Sequence, residues 1–284
     1  VDGVTTVVTG NCGGSYRSLG ESFAKLEKLG IGLNVASLVG HNTVRGQVMG
    51  SANRQATPEE IARMQELVEA GMREGALGLS TGLIYIPGTY ANTEEVVALA
   101  KAAARHGGIY ASHLRDEGER VIQAIEEAVR VGKEAGVPVQ LAHFKIDNRK
   151  LWGSSAKTVD LIERSRHAGV DVSVDQYPYD RSSTGIGILL PSWALADGEA
   201  KIKERLADPA ARARIAREME QMRERLGHKD YSYATVASCE FDRSLEGKNI
   251  REVNVLKGRK KKTKNEIQTI LDLMAQGGAS MVYH

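Results

Sequence analysis

Four residues stand where they could do chemistry together: Cys12, His113, His143 and Lys145. Cys12 follows the β-branched run Val4–Val8 in the segment Val7-Val8-Thr9-Gly10-Asn11-Cys12-Gly13-Gly14. His113 closes Ile109-Tyr110-Ala111-Ser112-His113, and His143 closes Val139-Gln140-Leu141-Ala142-His143, with Lys145 two residues on. A thiolate and two imidazoles suit Zn²⁺, and three protein ligands leave one coordination position for water. That arrangement favours hydrolysis of an amide or ester whose carbonyl a metal polarises. Each residue also has a structural reading: a cysteine after a strand is often a small buried hydrophobe, and a strand-end histidine is often a satisfied rim residue. The spacing is not a zinc motif in itself.

The elements that must position these residues alternate along the chain. Strands are expected at Val4–Val8, Leu33–Val39, Ala76–Ser80, Ile109–His113, Val137–His143 and Val170–Asp175. Between them lie amphipathic stretches. Thr57-Pro58-Glu59-Glu60 reads as an N-cap, a proline in the first turn and a capping-box glutamate. Ile61, Met64, Leu67 and Val68 then mark one helical face. Thr93 is expected to cap the next helix. Others are expected over Glu117–Ala135 and Ser155–Ala168, with Gly30, Gly75, Gly136 and Gly169 near helix ends. Repeated strand-helix units imply parallel strands with helical crossovers. A doubly wound sheet and a (β/α)8 barrel both satisfy the pattern. No Gly-x-Gly-x-x-Gly follows the first strand, which counts against dinucleotide binding, and the length suits a barrel. In a barrel, groups at the C-terminal ends of strands meet on one rim.

After Tyr179 the pattern changes. Residues 202–227 read as charged helix broken near Asp208-Pro209, and strands are expected at Tyr231–Ser238 and Ala279–Tyr283. The domain division expected is 1–180, the central part of a catalytic barrel, and 181–284, an inserted, substrate-side segment. Lys257 to Lys264 holds six basic residues and reads as a solvated loop.

Composition excludes several classes. The chain has 284 residues, 42% hydrophobic and 26% charged, with a net charge of +2. That balance gives no pull toward nucleic acid or anionic membranes. No run reaches the roughly 18 apolar residues of a membrane span. Two cysteines far apart, Cys12 and Cys239, indicate no disulfide framework. A reducing, cytoplasmic setting is the default. The chain opens on Val1 with no secretory leader, which fits a fragment.

The ordered motifs resemble the N-acyl-D-amino-acid deacylases (D-aminoacylases) of the amidohydrolase superfamily. The resemblance is carried by Gly10-Asn11-Cys12-Gly13, Gly40-His41-Asn42-Thr43-Val44-Arg45 and the run from Gly75 to Gly88. It continues in Ser112-His113-Leu114-Arg115-Asp116-Glu117, His143-Phe144-Lys145 and Asp175-Gln176-Tyr177-Pro178-Tyr179. It implies a zinc-dependent TIM-type barrel that cleaves N-acyl-D-amino acids, small-molecule substrates. Cys12, His113 and His143 map to its metal ligands. Lys145 maps to the lysine that meets the substrate carboxylate, and Tyr85, Tyr177 and Ser183 map to the substrate wall. The family's opening His-x-His pair has no counterpart here. Its general acid/base aspartate is expected beyond His284. The resemblance therefore implies a barrel truncated at both ends, lacking its first and last strands. Two rival readings stand beside it: a cyclic amidase of the dihydroorotase or hydantoinase kind, and a catalytically inactive binding barrel. The bridging lysine usual in cyclic amidases is replaced here by Cys12. His41 and Arg45 are expected to order the rim by hydrogen bonds, and Arg115 and Glu117 read equally as a structural ion pair or as a pair of site residues. His106, His167 and His228 are expected in solvent. Oligomeric state is left open.

Overall fold

The computed structural model describes residues 3–284. It separates into two compact units: residues up to 146 with 152–176, and 147–151 with 177–284.

The first unit alternates strand and helix. Its strands are β1 (Thr6–Thr9), β2 (Asn34–Ser37), β3 (Val39–Gly40), β4 (Gly78–Gly82), β5 (Ile109–His113), β6 (Val139–Leu141) and β7 (Val172–Val174). Its helices are α1 (Leu19–Leu29), α2 (His41–Met49), α3 (Pro58–Arg73), α4 (Thr93–Ala104), α5 (Val121–Ala135) and α6 (Ser155–His167). All strand pairs are parallel. β1 pairs with β2, and a five-stranded sheet runs β3-β4-β5-β6-β7. The α/β class and the parallel sheet expected from the sequence are therefore observed. The single strand expected over Leu33–Val39 is divided between two sheets. Leu38 donates its N–H to Thr9, while the Ser37 carbonyl accepts from Leu77, so the chain passes its pairing from β1 to β4 at this point.

The helices bury apolar stripes against the sheet. On α5, Val121, Ala124, Ile125, Ala128 and Val131 are buried, and they join Tyr110, Val139 and Leu141 in one core. Each fully buried branched side chain of this kind is worth about 1.5–3 kcal/mol. α3 carries the expected capping box, Thr57 with Glu60. Two boundaries differ from expectation. Asn92, not Thr93, caps α4 by accepting from the Glu95 N–H. α5 begins at Val121 rather than Glu117, because Asp116 accepts the N–H groups of Gly118 and Arg120 and holds residues 116–120 in a turn. That turn takes Glu117 off the helix.

The second unit contains β8 (Ser182–Gly185), α7 (Glu199–Ala207), α8 (Pro209–Leu226), β9 (Ala234–Ser238), α9 (Ile250–Leu256), α10 (Thr263–Ala275) and β10 (Ser280–Tyr283). Its antiparallel sheet has the order β8-β10-β9. The break between α7 and α8 falls at Asp208, which caps α8 ahead of Pro209, as the sequence implies. Lys260, Lys261 and Lys262 are exposed in the loop before α10, and Arg259 pairs with Asp272. His228 departs from expectation: it is buried, with its ring stacked on Tyr233 at 3.6 Å between centroids. His106 and His167 are exposed, as expected. No helix among the described residues is long and apolar enough to cross a membrane.

Candidate metal centre and active site

The parallel pairing aligns strand ends. Gly82, the last residue of β4, is in register with His113, the last of β5. The segment after β6 delivers His143, and the turn after β1 delivers Cys12. Both residues have left-handed backbones, φ 40° at His143 and φ 53° at Cys12. This region is costly for residues other than glycine, so each must be held by its surroundings.

At Cys12 the holding groups are backbone and serine. Gly10 and Gly13 flank it, both at positive φ. Ser80 on β4 donates to the Gly10 carbonyl and accepts the Gly13 N–H. The turn also lies flush against its neighbours, since a Cβ on Gly13 would meet Asn42 Oδ1 at 2.0 Å. At His143 the holding group is Asp175, whose carboxylate accepts the His143 N–H at 2.6 Å and the Gln140 amide at 2.8 Å.

The result is a cluster in which ligand atoms of Cys12, His113 and His143 all lie within 4.8 Å of one another. Cys12 Sγ is 3.5 Å from His143 Nε2. The two imidazoles meet edge to face with centroids 4.3 Å apart, and Tyr85 packs edge-on against His113 at 4.8 Å. His113 is 5% exposed, and neither of its ring nitrogens has a hydrogen-bond partner among the described residues. A buried imidazole in that state costs free energy unless something satisfies it. A metal ion would do so, and a thiolate with two imidazoles is a zinc-type donor set. The three residues fit such an ion.

Glu117, 7% exposed, stands behind both histidines. Its Oε1 is 3.0 Å from His143 Nδ1 and its Oε2 is 3.8 Å from His113 Nε2. Lys145 Nζ lies 2.7 Å from both carboxylate oxygens and 3.1 Å from His143 Nδ1. Of the two readings open for Arg115 and Glu117, the structural ion pair between them does not form. Arg115 instead makes a two-pronged bond to Glu127 at 2.8 Å on each arm, because the turn at Asp116 sends the two side chains apart.

Electrostatics follow from this packing. Burial pushes the His113 pKa down to about 4, against the pull of Glu117. Burial also works against a charged His143, but hydrogen bonds with Cys12 and Glu117 raise it to about 9. Desolvation alone would raise Glu117. The hydrogen bond from His143 and the charges of His113, Lys145 and His143 hold it below the ordinary carboxylate range. A bound cation reverses the preference of His143, since a ligand nitrogen must be unprotonated.

A second network fixes the wall around Tyr85. Asn42, at the start of α2, donates to the carbonyls of Gly82 and Tyr85 and accepts the Gly82 N–H. Behind it, His41 and Arg45 both bond Glu95, at 2.8 and 3.0 Å, and all three are buried. Arg45 also donates to the Pro87 and Arg54 carbonyls. The rim-ordering role expected of His41 and Arg45 matches this geometry.

Tyr177 and Ser183 lie in the second unit. Tyr177 stacks with Tyr179, and Ser183 donates to the Met281 carbonyl within the antiparallel sheet. Three site residues escaped the sequence reading: Asn42, Ser80 and Glu117 in its actual role. The first two lie within quoted motifs, and only their contacts reveal what they do.

Fold and site together define an α/β chain whose parallel strands bring a thiol and two imidazoles together, a set that could hold a metal ion. No protein-family model matches the chain. Known proteins do. The D-aminoacylase of Alcaligenes xylosoxydans xylosoxydans is 44% identical over 207 residues, 64% of this chain and 42% of that enzyme. A crystal structure of a D-aminoacylase, described as defining a novel subset of amidohydrolases, superposes with a TM-score of 0.75 at 30% identity, covering 99% of this chain and 54% of that one. An N-acyl-D-glutamate deacylase from Bordetella bronchiseptica, solved with zinc and a phosphonate mimic of the tetrahedral intermediate, gives 0.77 at 26% identity over the same shares. The chain is thus a relative of the N-acyl-D-amino-acid deacylases, as its motifs indicated, and it spans about half the length of the relatives it matches.

Proposed function

We propose that this chain carries the metal-binding part of a zinc-dependent hydrolase that cleaves the amide of N-acyl-D-amino acids, releasing a carboxylate and a D-amino acid. The observation that carries the reading is the convergence of Cys12, His113 and His143 within 4.8 Å, with His113 buried and neither of its ring nitrogens hydrogen-bonded among the described residues. The relatives named above are described as D-aminoacylases and an N-acyl-D-glutamate deacylase, which supports the substrate class. The parallel array supports a reading as part of a TIM-type barrel; the absence of its first and last strands rests on the family resemblance alone.

In this reading Cys12, His113 and His143 hold the zinc. When bound, zinc supplies a Lewis acid that polarises the acyl carbonyl and makes water acidic enough to attack near neutral pH. Lys145 binds the substrate's free carboxylate by a charge-assisted hydrogen bond, and Tyr85 forms an aromatic wall beside His113. The role of Tyr177 and Ser183 in facing substrate rests on the family resemblance alone. In hydrolysis the C–N bond breaks, water supplies the hydroxyl of the new acid, and the leaving nitrogen takes a proton. Two free thiols support a reducing, cytoplasmic setting.

Zinc content together with a substrate panel tests the proposal. One zinc per chain is expected, and, in a chain that spans the full length of the relatives, turnover of N-acyl-D-amino acids and not of their L-forms. The present chain alone, without the general acid/base aspartate, is expected to bind zinc with little or no turnover. Turnover of cyclic imides or hydantoins instead would move the assignment to a cyclic amidase. A folded, zinc-free protein without turnover would leave the binding barrel.

A further inference from the structure

We propose that Glu117 is a positioning residue that uses one carboxylate to orient both metal-binding imidazoles. This rests on the metal reading given above.

The geometry of the carboxylate carries it. Glu117 is almost wholly buried, and its two oxygens diverge: Oε1 toward His143 Nδ1 at 3.0 Å, Oε2 toward His113 Nε2 at 3.8 Å. On His143 the opposite nitrogen, Nε2, is the one facing Cys12 Sγ. A neutral imidazole carries one N–H. A carboxylate that accepts this N–H at Nδ1 leaves the Nε2 lone pair on the thiolate side, where a metal ligand needs it. The negative charge near Nε2 of His113 favours the N–H there and leaves Nδ1 as its ligand atom. The two rings thus present different nitrogens to one metal because a single carboxylate stands behind both.

The backbone is arranged to hold Glu117 there. The Asp116 turn precedes it, and Arg115 is drawn away to Glu127. Lys145 contacts the same carboxylate, so a simpler role exists: Glu117 could serve only to neutralise Lys145. The two roles differ in what they predict. Lys145 Nζ also lies 3.1 Å from His143 Nδ1, so if Glu117 only neutralised Lys145, the ammonium would donate to Nδ1 and the His143 proton would sit on Nε2. A carboxylate that orients ligating histidines typically contributes 10–100-fold in metal affinity.

The test uses the whole chain loaded with zinc, and cobalt as a spectroscopic probe. Imidazole ¹⁵N–¹H correlation spectra of the zinc form should show the proton on Nδ1 of His143 and on Nε2 of His113. Glu117→Gln keeps the shape but has one acceptor oxygen and no charge. It should weaken cobalt binding at least about tenfold and shift the cobalt ligand-field bands. Lys145→Met should leave cobalt affinity within a factor of about three. A wild-type His143 protonated on Nε2, or a Glu117→Gln chain with unchanged affinity and bands, overturns the role of Glu117 while the metal site stands. Equal loss in Lys145→Met and Glu117→Gln also overturns it, in favour of the ion pair. A wild-type chain that takes up neither metal overturns the hydrolase reading and this one with it. The tautomer measurement needs no variant, so a failure of Glu117→Gln to fold leaves the test intact.

Discussion

A methyl group on Gly82 would meet the carbonyl oxygen of Cys12 at 2.1 Å. The last residue of β4 and the thiol-bearing turn after β1 are therefore in backbone contact, with no room for a side chain between them. The Cys12 turn takes its position from this contact as much as from its own glycines.

Gly82→Ala should then displace the Cys12 turn. Overpacking of this kind costs about 1–3 kcal/mol, and the clash is with backbone, which cannot rotate away. We expect a lower Tm and loss of metal from an otherwise folded chain. A zinc-to-protein ratio unchanged from wild type would show that the turn relaxes freely.

Cys12→Ala tests the metal centre more directly. It removes a donor but no core packing, because Cys12 is only half-buried. Zinc retained on dialysis should fall from about one per chain to near zero, with the far-ultraviolet circular dichroism unchanged.

Lys145→Met should act on substrate rather than on metal. A hydrogen bond to a charged group is worth about 1.5–3 kcal/mol, or roughly 10- to 100-fold in affinity. In a chain that spans the full length of the relatives, KM for an N-acyl-D-amino acid should rise by that factor while zinc content holds. An unchanged KM would remove Lys145 from the substrate site.

The buried set His41, Arg45 and Glu95 should matter to stability. Arg45→Met strips the guanidinium partner from a carboxylate at 1% exposure. Breaking a buried ion pair this way costs about 3–5 kcal/mol. Urea denaturation should report a loss of that order. Because Arg45 also holds the Pro87 carbonyl, the segment bearing Tyr85 should become more open to proteolysis.

His228 gives a pH prediction in the second unit. Burial, with the charges of Arg149 and Arg223, pushes its pKa down to about 4. An unfolded chain protonates its histidines near 6.5. Between these values the unfolded state binds a proton that the folded state does not, so stability is fully present above pH 6.5 and falls as the pH drops toward 4. The contribution is about 1–3 kcal/mol. His228→Phe keeps the stack on Tyr233 and removes the titration. Its Tm should fall less steeply over that window than the wild type's.

Much of the fold was legible in the sequence because burial on a parallel sheet leaves a strong local signature. Ile109–His113 matches expectation residue for residue, and the box at Thr57 and Glu60 announces α3. The convergence of Cys12, His113 and His143 was legible because residue types at strand ends carry their chemistry with them. Contacts without local periodicity were not. The chain over Leu33–Val39 reads as one strand, yet it serves two sheets, because each half finds a different partner far away in sequence. Glu117 and Arg115 are neighbours that read as a pair. The turn at Asp116 sends one to the histidines and the other to Glu127. His228 reads as a solvated residue near a helix end, but Tyr233 and Arg223 enclose it. The sequence by itself determined which groups could bind a metal. Only tertiary packing decided which carboxylate stands behind them, since that depends on a backbone turn and on distances that no residue spacing encodes.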